Sequence, residues 1–257
     1  MIRVIRTDHK AHFPCKDNFP GGEVNVSINT SLLSEFVTVD AIIKTSDDIM
    51  QLLMTVDALR RCNKVKFIDL YMPYVPYARQ DRVCNEGEAL SIKVLCDLIN
   101  NMKFRTVTII DPHSDVTPAL LDNCLVIKQG HRIPRPLLKL VTAGKLTLVA
   151  PDLGATKKVE SLCADLGVST YIQGFKHRDL ATGKLSGFGY SGDVKGKHLL
   201  IVDDICDGGG TFAGLGGVLK AAGCYEITLY VSHGIFSRGT KIDNIDEVLF
   251  PIDLRRD

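Results

Sequence analysis

Residues 199 to 212 read Leu199-Leu200-Ile201-Val202-Asp203-Asp204-Ile205-Cys206-Asp207-Gly208-Gly209-Gly210-Thr211-Phe212. Four consecutive apolar residues predict a strand buried on both faces, and the stretch that follows, to about Ala222, predicts a helix. Two carboxylates then stand at the carboxyl end of a buried strand, where open parallel sheets bind ligands. The glycine run lets the backbone turn tightly and aim successive N–H groups at one point. Thr211 adds a hydroxyl, and the helix brings its positive end. By itself the run would equally suit an ordinary connector; the adjacent aspartates are what turn it toward a ligand. Asp203 and Asp204 would repel a bare phosphate but accept hydrogen bonds from neighbouring sugar hydroxyls. Phosphate plus cis-diol points to ribose 5-phosphate, held by Asp203, Asp204, Asp207, Gly208, Gly209, Gly210 and Thr211, with Asp207 near the C1 end of the sugar.

Around this stretch lies a chain of 257 residues, enough for a sizeable core and for two domains. Lys and Arg total 31 against 30 Asp and Glu, so no global field favours nucleic acid or an anionic membrane, and the expected partners are small molecules. No apolar run approaches the roughly 18 residues that span a bilayer. The first residues, Met1 to Arg6, lack the longer apolar core of a signal peptide, so a cytoplasmic location is expected. The 8 cysteines form no C-x-x-C pair and read as reduced thiols rather than a disulfide framework or a zinc site.

Along the chain, 23–28 alternates like a half-buried strand and 36–44 is a second strand candidate. Asp47 and Asp48 open a helix that runs through Arg61 on the apolar spacing of Ile49, Leu52, Leu53, Val56 and Leu59. Strands are predicted over 65–71, 106–110, 146–150, 167–172 and 226–232, and helices over 89–102, near 135–143 and up to Leu166. A closing helix and strand complete the chain to Phe250. Residues 173–197, rich in Gly, Lys and Asp, predict a long loop. Two strand ends carry polar clusters besides the opening one: Asp111-Pro112-His113-Ser114-Asp115 and Pro151-Asp152-Leu153-Gly154-Ala155. Strand–helix alternation points to parallel sheets. Ile109-Ile110-Asp111 and Ile201-Val202-Asp203 echo one another, suggesting two successive α/β halves divided near residue 130.

The glycine turn resembles the phosphoribosyl-pyrophosphate (PRPP) loop of the type I phosphoribosyltransferase fold, found both in enzymes that make PRPP and in enzymes that consume it. Six stretches in order are similar to the PRPP synthetases, the ribose-phosphate pyrophosphokinases. They are Phe19-Pro20-Gly21-Gly22-Glu23, Tyr77-Ala78-Arg79-Gln80-Asp81-Arg82, Ile110-Asp111-Pro112-His113, Pro151-Asp152-Leu153-Gly154, Lys176-His177-Arg178 and Val202-Asp203-Asp204-Ile205-Cys206-Asp207. The resemblance implies an α/β chain of two tandem type I phosphoribosyltransferase-like domains, each a mainly parallel sheet flanked by helices. Residues 1–130 would form the nucleotide side, and 131–257 would carry the sugar-phosphate turn and a catalytic flexible loop. It implies transfer of the β,γ-diphosphoryl group of ATP to the C1 hydroxyl of ribose 5-phosphate, giving PRPP and AMP, with Mg²⁺ as cofactor. Phe19, Glu23, Arg79, Gln80, Arg82 and His113 would bind ATP; Lys176, Arg178 and Asp207 would be catalytic; His113 and Asp152 would hold the metal. The Phe19–Glu23 loop would reach the adenine of a neighbouring subunit, making the active form a homo-oligomer, a dimer or hexamer.

The departures from that pattern carry expectations of their own. Gly21 stands where the family usually has Asp or Asn, which loosens the reading of the base. Leu153 and Ala155 replace residues that are often His or Gly. Gly208 replaces a usual Thr and removes one hydroxyl from the phosphate turn, leaving backbone donors. Leu33 aligns with an arginine that binds allosteric phosphate in regulated members, and the chain is shorter than usual at both ends, so weak or absent phosphate activation and ADP allostery are expected. Two other functions remain open on the sequence. A base phosphoribosyltransferase would use the same turn but has no use for Arg79 to Arg82. A non-catalytic regulatory homologue should have lost loop cations or sugar carboxylates, whereas Lys176, Arg178, Asp203, Asp204 and Asp207 are all present.

Overall fold

The computed structural model describes residues 1–6, 11–12, 14–178 and 185–255. The chain divides into two compact units, Met1–Ile127 and Lys128–Asp257. The first contains β1 (Ile2–Arg6), β2 (Ala11–His12), β3 (Cys15–Asn18), β4 (Val24–Ser27), β5 (Phe36–Ala41), α1 (Ser46–Arg60), β6 (Phe67–Tyr71), α2 (Ser91–Asn101), β7 (Val107–Ile110), α3 (Val116–Leu120) and β8 (Cys124–Ile127). Its main sheet has the order β2-β1-β5-β6-β7-β8, with β5 to β8 parallel and β1 antiparallel to β5. β3 and β4 form a separate antiparallel hairpin.

Helix α1 starts where its sequence chemistry directs. The Thr45 hydroxyl accepts from the Asp48 amide at 3.2 Å while the Asp48 carboxylate accepts from the Thr45 amide at 2.9 Å, a reciprocal cap that satisfies two otherwise orphaned donors. Leu52, Val56 and Leu59 then recur on one buried face against the sheet. Strand β1, which the short pattern at the N-terminus does not reveal, buries Ile2 and Val4 and turns Arg3 outward to pair with Asp40.

The second unit contains α4 (Arg135–Thr142), β9 (Thr147–Ala150), α5 (Thr156–Leu166), β10 (Ile172–Arg178), β11 (Leu185–Ser191), β12 (His198–Cys206), α6 (Gly210–Ala221), β13 (Glu226–Gly234), β14 (Glu247–Leu249) and β15 (Ile252–Asp253). The sheet order is β11-β10-β9-β12-β13-β14, with β15 also on β13; β11 is antiparallel to β10 and the other pairings are parallel. β12 lies between β9 and β13 in the sheet, and α6 and α5 cover its two faces, which explains its continuous apolar run. Leu199 and Ile201 pack with Phe212, Leu215 and Leu219 of α6, whereas Leu200 and Val202 pack with Val159 and Leu162 of α5. The alternation of a strand thus divides one run of sequence between two cores.

Three predicted elements are corrected. Residues 167–172 are not a strand: Gly167 adopts the left-handed conformation, φ 68°, that ends α5, and the strand begins at Ile172. Residues 173–197 are not one long loop, because β10 and β11 pair as an antiparallel hairpin from Gln173↔Ser191 to Arg178↔Leu185; residues 179–184 of that stretch lie outside the described residues. No helix forms between 235 and 246, where Phe236 (φ 46°), Gly239 (φ 89°) and Asn244 (φ 64°) all take left-handed backbone that a helix cannot contain. Cys62, Cys84, Cys96, Cys124, Cys163, Cys206 and Cys224 are free thiols. Among the described residues no helix is long and apolar enough to cross a membrane.

Ile201 is fully buried between β12 and α6. Ile201→Ala is expected to destabilise this unit by about 3 kcal/mol through lost transfer energy and a residual cavity. The expected readout is a lower denaturant midpoint at unchanged slope; an unshifted midpoint would contradict the packing.

Candidate functional site

In the second unit the side chains singled out from sequence gather at the carboxyl end of the sheet. β12 extends through Asp203 and Asp204 to Cys206, so the paired carboxylates belong to the strand itself. The Asp203 carbonyl accepts from Gln129 Nε2 at 2.5 Å, and its carboxylate accepts from the Asp204 amide at 2.9 Å. Burial, then the Asp204 charge beside it, raise the Asp203 carboxyl well above its ordinary range; Asp152 adds to the same effect. Lys158, from the first turn of α5, places its ammonium 3.7 Å from Asp204 Oδ1.

Asp152 follows β9. Its Oδ1 accepts from the amides of Gly154 and Ala155 at 3.0 and 3.2 Å, and its Oδ2 carries the Lys176 ammonium at 2.8 Å. One carboxylate oxygen is therefore fixed by backbone donors while the other already holds a cation. Lys176 reaches it from β10 rather than from a loop, and both partners of the pair are about a quarter exposed, at 22% and 28%. Arg178 ends β10, and its side chain lies outside what is described.

The turn after β12 supplies amides rather than side chains. Gly209 has φ 72°, a conformation that favours glycine, and it precedes α6 without a side-chain cap. The first-turn N–H groups of α6, including those of Gly210 and Thr211, are thus available to an anion. Asp207 accepts from the Ser237 hydroxyl at 2.6 Å. Cys206, buried and beside Asp203 and Asp207, has its thiol pushed up to about 12 and is no nucleophile at neutral pH.

In the first unit the expected nucleotide residues occupy the loops after two adjacent strands. Arg79, Gln80 and Arg82 are exposed in the loop after β6, and His113 is exposed after β7. The two loops are tied by the Ile110 amide donating to the Pro73 carbonyl at 3.1 Å. Arg82 lies 3.6 Å from Asp81, and Glu88 accepts from the amides of Cys84 and Asn85, folding the β6 loop back on itself. Tyr77 (φ 63°) and the buried Asp111 (φ 41°) are both left-handed, so each loop carries local strain at its entrance. Phe19, 57% exposed, and Glu23 sit at the tip of the β3–β4 hairpin, closed by Gly22 N–H to Phe19 O at 2.8 Å and Phe19 N–H to Glu23 O at 2.9 Å. Leu33 is a core residue of this unit. Among the described residues no three His, Cys, Asp or Glu side chains cluster to hold a metal.

Gln129, Lys158, Ser237 and Arg238 were not singled out from sequence. Lys158 had a readable signal, since the first turn of a helix that follows a polar strand end faces the same site. Gln129 and the Ser237–Arg238 pair reach the site only through tertiary packing.

Known proteins resemble this chain along most of its length. A family model described as the N-terminal domain of ribose phosphate pyrophosphokinase matches residues 8–102, and a phosphoribosyl transferase domain model matches residues 145–254. A ribose-phosphate pyrophosphokinase of Mycoplasmopsis pulmonis (strain UAB CTIP) is 31% identical over 247 residues, covering 93% of this chain and 76% of that one. One from Hyphomonas neptunium is 30% identical over 253 residues, covering 96% and 77%. The phosphoribosylpyrophosphate synthetase structure from Mycobacterium smegmatis superposes with a TM-score of 0.73 at 26% identity, covering 88% of this chain and 74% of that one.

The raised Asp203 carboxyl gives stability a defined pH slope. The folded chain keeps this proton above the pH, about 4, at which the unfolded chain loses it, so the folded state binds more protons in that window. Stability from this group is therefore complete below about pH 4 and is lost as pH rises through the folded value. Asp203→Asn is expected to remove that slope and raise the ligand-free unfolding midpoint at pH 7–8. A midpoint that falls at neutral pH would contradict the crowding of charge.

Proposed function

The chain belongs to the ribose-phosphate pyrophosphokinase family, and from that premise we propose that it transfers the β,γ-diphosphoryl group of ATP to the C1 hydroxyl of ribose 5-phosphate, yielding PRPP and AMP. The observation that carries this reading is the end of β12, where Asp203, Asp204 and Asp207 adjoin the uncapped start of α6 and two lysines engage neighbouring carboxylates. In this reading the amides from Gly208 to Thr211 receive the 5-phosphate, Asp203 and Asp204 accept the ribose hydroxyls, and Asp207, steadied by Ser237, lies at the C1 end.

The reaction forms a bond from the C1 oxygen to the β-phosphorus of ATP and breaks the bridge to the α-phosphate, releasing AMP. Its demands are alignment and neutralisation of charge on the transferring oxygens. Arg79, Gln80, Arg82 and His113 would bind the nucleotide, with Phe19 and Glu23 of a neighbouring copy covering the adenine in a cytoplasmic homo-oligomer. Lys176 would exchange its present carboxylate partner for the transferring phosphates, joined by Arg178. Asp152 fits a hard divalent cation, because its Oδ2 already carries a positive charge while its Oδ1 is held by amides. Mg²⁺ held there, its shell completed by water, would neutralise the transferring oxygens.

Incubation of the full chain with Mg²⁺, ATP and ribose 5-phosphate is expected to yield AMP and PRPP in equal amounts. ADP as product, or no AMP with any divalent metal, would overturn the proposal. Lys176→Ala combined with Arg178→Ala is expected to lower kcat at least about a hundredfold, in line with loss of preorganised charge, with ribose 5-phosphate binding nearly intact. Equal loss of sugar-phosphate binding would contradict the roles given to those cations.

A further inference from the structure

Gly208 opens the glycine run, yet unlike Gly209 it has no positive φ, so its backbone does not call for glycine. What distinguishes the position is its neighbour, Arg238, which a side chain here would touch at ordinary contact distance. A Cβ at 208 would lie 3.5 Å from Arg238 Cδ, 3.6 Å from Arg238 Nε and 3.8 Å from Ser237 Oγ. The stem of Arg238 therefore passes directly over the first residue of the phosphate turn.

That arginine is held there by its loop. The amides of Ile235 and Phe236 both donate to the Cys206 carbonyl, at 2.8 and 3.2 Å, anchoring the chain after β13 to the end of β12. Phe236 is buried, left-handed at φ 46°, and packs edge-on against Phe250 at 4.6 Å. Ser237 bonds Asp207 at 2.6 Å, and Gly239 N–H closes the turn onto Phe236 O at 2.9 Å. The side chain of Arg238 is exposed.

The charge balance of the site gives this placement its meaning. A phosphate monoester bound here would sit near Asp203, Asp204 and Asp207. Lys158 and Lys176 are engaged with Asp204 and Asp152. Arg238 makes no ion pair among the described residues, so its charge is not committed to a carboxylate. We propose that Arg238 is a phosphate-binding residue of this turn: its stem lies over Gly208, and its guanidinium donates to the monoester oxygens of the sugar substrate. A guanidinium offers two parallel donors to a phosphate and stays charged at every working pH. The inference rests on the reading of the turn as the ribose 5-phosphate site.

The test compares equilibrium binding of ribose 5-phosphate to the full chain, without nucleotide, for wild type, Arg238→Met and Arg238→Lys. Arg238→Met keeps the length of the stem and removes the charge. It is expected to weaken ribose 5-phosphate binding about tenfold to a hundredfold, the scale of a lost charge-assisted hydrogen bond, and to weaken competition by inorganic phosphate in parallel. Arg238→Lys should fall between the two. The KM for ATP and the thermal midpoint should stay near wild type. Equal affinity of Arg238→Met and wild type would overturn the inference while leaving the proposed function standing. No binding of ribose 5-phosphate by wild type would overturn the sugar-phosphate reading and this inference with it.

Discussion

The crowding of carboxylates at one end of the second sheet is the constraint on which the site depends. β12 is buried on both faces, and it carries Asp203 and Asp204 to its end beside Asp152 of the neighbouring strand. Like charges so close, in partly dry surroundings, cannot all stay ionised without cations. The fold answers with Lys158 on Asp204 and Lys176 on Asp152, and the Asp203 carboxyl is held well above its ordinary range. This is a costly arrangement for stability and a useful one for chemistry. The same carboxylates can accept sugar hydroxyls, and the same lysines can be traded to phosphate oxygens.

Glycine serves the site in two different ways. Gly209 is required by backbone conformation, since its φ of 72° sets the turn into α6. Within α6 the reason is space: a Cβ on Gly214 would meet Phe188 of β11 at 2.0 Å, and one on Gly216 would meet the Asn244 carbonyl at 2.9 Å. A helix of weak intrinsic propensity is thereby packed tightly enough to hold its amino end over the acidic strand.

The same distinction explains what could be read from the chain before its structure. The β12–α6 turn was legible because a buried parallel strand writes itself as a continuous apolar run and the turn after it as glycine after aspartate. Helix α1 was legible through Thr45, Asp48 and the spacing of Leu52, Val56 and Leu59. The β10–β11 hairpin was not, because its glycines resemble loop residues. In fact a Cβ on Gly174 would strike the Pro151 and Ala150 carbonyls at 2.7 and 2.9 Å, and one on Gly189 would strike Phe175 at 2.2 Å. Those glycines mark close packing rather than a loop. Lys176 is legible as a cation in its stretch, but its partner, Asp152, comes from a different strand end that no local pattern connects to it. Arg238 is illegible for the same reason: its neighbour Gly208 is thirty residues earlier in the chain.

The central claim is that the turn from Asp203 to Thr211 is the seat of the sugar phosphate. Amide resonances of the isotope-labelled full chain, followed during titration with ribose 5-phosphate and no nucleotide, report on it directly. The account predicts saturable shifts concentrated at Gly208 to Phe212 and at Asp204, the groups whose N–H bonds and charges face the ligand. Shifts confined to other parts of the chain, or none at concentrations that saturate turnover, would contradict it.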